Sequence, residues 1–354
     1  MVSAEPAAGP VAKGSLRPAP TFLFGAALCL GGAGLVALDL LSPGPTPVPA
    51  EMPLPFEERA TEVPLAPPLD GLAGVVAGPA AKRIEFVDRS SGAVVATGTF
   101  LERGADPPVP VAWESGAAEP VLRPDLDPAE ELRLVEALRR HLEPGATVLA
   151  FPERARRLVR LAGVASPSAD ADDTAGLFVP KAWAAAASVR AWERERARIG
   201  GDTAAQAALE AWLDALLAPP ARGTALLHLL AGGRGAHLVL HLADAFTAGL
   251  MRPDDVAVGL HDLPAGGAVH DSIRLVKEWV RSQGHAAYAV LPREPMALRV
   301  FFLARAEDRD RLLAHLLPFD SADLGALPGV RLVFQHRGYW VWRLDPVAGE
   351  EEKS

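Results

Sequence analysis

The chain predicts a mixed α/β (α+β) protein: a single N-terminal transmembrane helix, then an exported globular region with a Rossmann-like first half and a ferredoxin-like second half. Three observations predict it. A long uncharged apolar segment stands near the start, a proline-rich stretch follows it, and beyond that helical periodicity alternates with short apolar runs.

No charged residue stands between Arg17 and Asp39, and Thr21 to Leu41 is almost wholly apolar. At ~1.5 Å of rise per residue such a run extends about 30 Å as a helix, the hydrocarbon thickness of a bilayer. Residues 19–41 therefore read as a membrane anchor behind a cytoplasmic tail, 1–18. Lys13 and Arg17 precede the run and the next basic residue is Arg59, so the positive-inside bias holds the N-terminus in the cytoplasm. The expected location is the inner membrane, single-pass, with the globular region periplasmic. The run exceeds the ~7–15 apolar residues of a cleaved signal, and Val48-Pro49-Ala50 makes a poor cleavage site, so a retained anchor is expected.

Nine of the residues from Pro43 to Pro68 are proline. Proline fixes φ and lacks an amide donor, so 42–68 is expected to be an extended spacer. The remainder should form an α/β subdomain, 69–222, an α+β subdomain, 223–347, and a loose acidic tail, 348–354. In the first, Ile84–Val87 and Val94–Phe100 read as a hairpin. Asp127 caps a helix that holds Pro128, Glu130 and Glu131 in its first turn, shows an apolar stripe at Leu132, Val135, Leu138 and Leu142, and stops at Pro144-Gly145. Thr147–Phe151 reads as a buried strand, Pro152 opens a helix to Gly163, and Thr203–Leu217 is a helix burying Leu209, Trp212, Leu213 and Leu216. In the second, the order is a strand at Val256–Leu260, a helix capped by Asp271 and ended by Gly284, strands at 287–291 and 298–303, a helix at 307–317, and a hairpin of 331–335 with 339–344. That is β-α-β-β-α-β with one extra strand. The hairpin turn, His336-Arg337-Gly338, is expected to use glycine for a positive φ.

With 35 basic and 44 acidic side chains the net charge is −9, and no Lys/Arg-rich run interrupts that balance, so no nucleic acid is expected as a partner. Glu193-Arg194-Glu195-Arg196 reads as a solvated helical face held by local ion pairs. The single cysteine, Cys29, lies in the apolar segment, so the globular region has no disulfide, thiol nucleophile, Cys-ligated metal or C-x-x-C-H haem attachment. No cofactor is expected.

His237, His241 and Asp244 would put two imidazoles and a carboxylate on one helix face, a zinc-like spacing. The segment lacks the glutamate of H-E-x-x-H, and its apolar β-branched interior suits a strand equally well. His261-Asp262 and His270-Asp271 are a second candidate, and either group would serve an alternative reading as an exported metal-dependent hydrolase. Asp170, Asp172 and Asp173 open like a calcium loop but lack its glycine and closing glutamate, and read as a solvated turn. No G-x-S-x-G elbow occurs, and Gly232-Gly233-Arg234-Gly235 is a turn. Alternation puts Trp340, Trp342 and Leu344 on one strand face, as core packing rather than a docking surface.

These elements, with the phrases at Gly266–Val280, His285–Pro292, Leu312–Phe319 and Leu327–Leu344, resemble the HaoB family, membrane-anchored proteins associated with hydroxylamine oxidation in nitrifying and methane-oxidising bacteria. The resemblance implies an accessory role, docking or assisting a multihaem hydroxylamine oxidoreductase or its electron acceptor, a cytochrome, and it transfers no catalytic residue. Ala146–Val164 also looks like extracytoplasmic domains of membrane oligosaccharyl and glycosyl transferases, which implies a glycan- or lipid-linked-substrate binding module as a further alternative. Those domains carry an aromatic-aromatic-acid motif where this chain has Phe151-Pro152-Glu153.

Overall fold

The computed structural model describes residues 53–347 apart from 66, 74–79, 103, 117–118, 266–268, 286, 294–296, 320–323 and 325–326. The expected tail at 1–18, the anchor at 19–41, the first part of the spacer and the acidic tail at 348–354 lie outside the described residues. No helix among the described residues is long and apolar enough to cross a membrane.

Among the described residues the architecture is mixed α/β with three sheets. The first is an antiparallel meander of β1 (Phe56–Val63), β2 (Ala80–Asp88), β3 (Val94–Glu102) and β4 (Val109–Ser115). β1 corrects the spacer expectation over Phe56–Val63, which pairs with β2 along its whole length. The reason is positional: Pro55 and Pro64 bracket a proline-free window in which every residue keeps its amide donor. Glu57, Glu58, Arg59 and Glu62 are exposed on this edge strand, and such charges discourage further pairing.

Next come α1 (Pro128–His141), β5 (Val148–Leu149), α2 (Pro152–Ala162), α3 (Ala186–Ala197), α4 (Thr203–Leu217) and α5 (Pro220–Leu230). Asp127 caps α1 as its sequence predicts, accepting from Ala129 N at 2.7 Å and Glu130 N at 3.1 Å. Asp127→Ala leaves those donors unmet and is expected to cost about 1 kcal/mol, read as a lower urea midpoint of the full chain at unchanged slope. α2 ends at Gly163, whose φ of 72° only glycine adopts without strain.

The central sheet has the order β10-β11-β6-β5, with β6 (Ala236–His241), β10 (Val330–His336) and β11 (Tyr339–Leu344). β5 and β6 are parallel, Val148 opposite His237; the other pairs are antiparallel. The sheet therefore takes β5 from before residue 222 and its other strands from after it. Side chains alternate between two cores: Leu238, Leu240, Trp340, Trp342 and Leu344 face one, Val239, Tyr339 and Val341 the other. The expected core packing of Trp340 and Trp342 is what the sheet shows, the two rings stacked at 6.4 Å. The Rossmann-like expectation reduces to the one parallel pair.

The third sheet is β7-β9-β8, from β7 (Val258–Pro264), α7 (Val269–Gln283), β8 (Ala287–Arg293) and β9 (Ala297–Leu303), all its pairs antiparallel. This is the β-α-β-β portion of a ferredoxin-like unit, with β9 between the two parallel-running strands. Among the described residues no closing strand joins this sheet. After α8 (Leu312–Leu316) the hairpin β10-β11 joins β6 instead, because Trp340 and Trp342 bury against α4, α5 and α8 in the largest core. Asp271 is not a cap: α7 starts two residues earlier, and Asp271 pairs with Arg274 inside its first turn.

Candidate functional site

A site forms where β5 and β6 end. β5 runs into α2 and β6 into α6 (Leu242–Met251), and these helices lie on opposite faces of the central sheet. Ala155, Leu158 and Leu161 of α2 pack with Val239 and Val341, whereas Ala243, Ala245 and Ala248 of α6 pack with Leu238 and Trp342. Neighbouring parallel strands whose helices depart to opposite faces leave a crevice beyond their carboxyl ends. A cavity of about 460 Å³ occupies that position. The first turns of α1, α2 and α6 all contribute to its wall, so three helix N-termini, each with a partial positive charge, face one space. The meander closes another side with Thr97, Thr99 and Trp113, and Tyr339 comes to the same edge because it stands opposite His241 in the sheet.

The wall is a buried ion network. Arg157 donates Nε to Glu131 at 2.8 Å and Nη1 to Glu153 at 3.4 Å, and the Tyr339 hydroxyl donates to the other Glu131 oxygen at 2.6 Å. Arg123 donates Nε to Glu153 at 2.7 Å and Nη2 to Glu193 at 2.6 Å, its guanidinium 4.6 Å over the Trp113 ring. Arg154 bonds Asp244, joining the first turns of α2 and α6, and packs over the Tyr339 ring. Asp173 accepts from Glu153 N at 2.8 Å and from Arg156 at 2.9 and 3.0 Å, and so supplies the cap that Phe151 cannot. At the rim Arg293 pairs with Asp125 at 2.5 Å, and Arg337 with Glu130 at 3.3 Å.

Burial alone would raise Glu153, but Arg123 and Arg157 beside it outweigh that and hold its carboxyl at about 2. Glu193 goes the other way, raised by burial and by the neighbouring Glu153 charge, with Arg123 only partly offsetting them. Burial lifts Tyr339 well above the usual phenol value, and Glu131 lifts it further, so it stays a donor. His241 lies well below its usual value because burial strips its hydration and Arg154 and Arg157 repel the imidazolium. It is neutral, and its Nδ1 accepts from Ala243 N at 3.2 Å while Asp244 accepts from His241 N at 2.8 Å, a capping box for α6. Because the folded-state value of Glu153 is depressed, its stabilisation is complete above about pH 4.5 and is lost as pH falls from there toward about 2. Urea unfolding across that window is expected to show the loss, and Glu153→Gln to flatten it.

The sequence candidates fall out differently. His237 and His241 share a face of β6 but stand four strand residues apart, roughly 13 Å. Only His241 and Asp244 come together, as a helix cap. Among the described residues no group of three or more His, Cys, Asp or Glu side chains is arranged to hold a metal ion. His261 stacks flat on Trp279 at 4.6 Å, Asp262 is taken by Arg293 and Arg299, and His270 is exposed at the start of α7. The hairpin turn is also corrected: Arg337 carries the positive φ, 46°, and Gly338 does not. Glycine is needed there for close approach, since a Cβ on Gly338 would lie 2.1 Å from His241 Nε2.

Two solvated-surface readings are corrected in part, since Arg194, Glu195 and Asp170 are exposed and the rest are not. Glu193 is buried on Arg123, Arg194 reaches Asp172 at 2.5 Å, and Arg196 reaches Glu58 at 2.6 Å while covering the Phe100 ring at 4.2 Å. These partners are distant in sequence, because one side of α3 packs against the meander through Val189 and Trp192, while Arg194 and Glu195 stay exposed. Asp172 is held by Arg194 and Thr174, and Asp173 caps α2. Arg123, Arg154 and Arg157 were not singled out from sequence, and Glu131 and Tyr339 were read only as a first-turn acid and a hairpin residue. One signal was present: Arg154 and Arg157 sit on the apolar stripe of α2 with Ala155, Leu158 and Leu161.

Comparison with curated proteins and with solved structures gives no match. Comparison with family models does, and it extends the resemblance carried by the four C-terminal phrases over nearly the whole chain. The model described as HaoA-associated protein HaoB matches residues 18–344, from the start of the uncharged N-terminal segment to the end of β11, and the chain belongs to that family.

Proposed function

We propose that this protein is a membrane-anchored accessory of hydroxylamine oxidation, with its N-terminus in the cytoplasm and its globular region in the periplasm. There it docks or assists the multihaem hydroxylamine oxidoreductase HaoA or the cytochrome that accepts its electrons. The observation that carries the reading is the family match, whose description names an association with HaoA and whose span takes in the uncharged segment between Arg17 and Asp39. That segment is long enough to cross a bilayer, and the charges around it favour a cytoplasmic N-terminus. The ion-paired interior supports a binding role: its guanidiniums and carboxylates hold each other in place and present a shaped, preorganised wall.

Mild-detergent capture of the full chain from its native membranes is the test. HaoA or a cytochrome is expected to co-elute and to rebind when purified. Elution without either, together with no binding between the purified components, would remove the docking role. Protease added to intact spheroplasts is expected to digest the globular region; complete protection there would remove the topology.

A further inference from the structure

Among the described residues each of the three sheets ends in edge strands, which offer unpaired backbone groups to another chain unless something prevents it. β1 carries the exposed charges Glu57, Glu58, Arg59 and Glu62. β4 contains Pro110, and its Trp113 already exchanges backbone hydrogen bonds with Leu126. β7 ends on Pro264 and β8 contains Pro292. β5 is two residues long. β10 differs from all of these: Val330–His336 has no proline, lysine or acid, and Arg331, Leu332, Val333 and Gln335 are exposed. Its one guard is a bulge at Val333, where Leu332 and Phe334 pair with successive residues of β11. A bulge discourages open-ended stacking of copies, and it also re-aims side chains. Here Leu332 and Val333, consecutive apolar residues, are 39% and 48% exposed.

Charge selects what could cover this edge. The protein carries a net charge of −9, yet from Leu324 to Leu344 there is no Asp or Glu, while Arg331, Arg337 and Arg343 fall within that stretch. Arg331 and Arg343 stand directly opposite each other in the ladder, an arrangement of like charges that destabilises a strand pair. They share one carboxylate, Asp345, at 3.9 and 3.4 Å. At the other end of the strand, burial together with Arg133 of α1 and Arg337 holds the His336 imidazole below its usual value, a sign of the same positive field. A second copy would bring an identical acid-free edge against this one, cation facing cation. An extended segment that carries acids beside apolar residues meets both the guanidiniums and the Leu332-Val333 pair.

We infer that HaoA docks on the outer edge of β10, adding an extended acidic segment of its own as a further strand of the central sheet. Backbone hydrogen bonds then supply affinity, and the side chains of Arg331, Leu332, Val333 and Arg343 supply selectivity. The inference rests on the association with HaoA proposed above and assigns it a surface.

The test measures binding of purified HaoA to the immobilised full chain in detergent, over a range of salt. Leu332→Glu is expected to weaken binding at least about tenfold, and Arg331→Gln to slow association and flatten its salt dependence. Val94→Glu, at an exposed apolar residue of the meander, is expected to change nothing. Should Leu332→Glu fail to fold, amide exchange of the wild type reports instead, and the amides of 331–335 are expected to slow when HaoA is added. Failure of the wild type to bind HaoA would remove the association and this edge with it. Wild-type affinity in Leu332→Glu, unslowed β10 amides, or an equal loss in Val94→Glu would overturn the edge alone. A wild-type dimer that Leu332→Glu dissociates would assign the edge to a second copy and overturn the inference.

Discussion

Glu131→Ala is expected to destabilise the fold by about 3–5 kcal/mol, because it strips a buried guanidinium of its partner. Glu131 is wholly buried and Arg157 is 2% exposed, and the pair meets at 2.8 Å. The carboxylate also accepts the Tyr339 hydroxyl at 2.6 Å, so its loss orphans two donors on two different elements. Arg157 would keep only its 3.4 Å contacts with Glu153 and the Pro110 carbonyl. Combining Glu131→Leu with Arg157→Met is expected to recover much of that stability, since the desolvated charge then goes with its partner. Urea unfolding of the three proteins decides it. A double variant as unstable as Glu131→Ala would mean that shape, and not charge pairing, governs this layer.

Trp342→Ala is expected to cost a comparable amount, about 3–5 kcal/mol, by a different route. The indole is 1% exposed, stacks on Trp340, and donates Nε1 to the Leu316 carbonyl at 3.0 Å. Truncation opens a cavity between the central sheet and α8 and leaves that carbonyl unmet. Trp342→Phe keeps most of the packing and is expected to lose less than half as much. Equal losses from the two variants would put the weight on the hydrogen bond. Because β11 lies between β6 and β10, Trp342→Ala is also expected to loosen Tyr339 and lower the thermal stability of the cavity wall, visible as faster amide exchange in β11.

The site was far less legible than the elements that build it. Asp127, Pro128, Pro152 and Gly163 announce the ends of two helices, and those signals are local because a cap acts within one turn. Glu193 and Arg196 belong to a pattern that normally marks a wet helix face. Their partners are distant in sequence: Glu58 lies on β1 of the meander and Arg123 in the segment between β4 and α1. His241 and Asp244 drew attention for a metal, and the fold uses them to start α6. A residue type at a given spacing states what chemistry is available; which neighbour consumes it depends on the tertiary arrangement.

By itself the amino-acid order determined the mixed α/β class, the limits of α1, α2 and α4, the inward face of β11, and the family. Periodicity and capping depend on residues a few positions apart, so they survive without knowledge of the fold. The tertiary structure decided that β10 and β11 join β6 rather than close the ferredoxin-like sheet, that Phe56–Val63 is a strand, and that α1, α2 and α6 point into one cavity. Those outcomes turn on long-range strand pairing and on where a buried guanidinium finds its carboxylate, and both are settled by competition among distant segments for the same desolvated space.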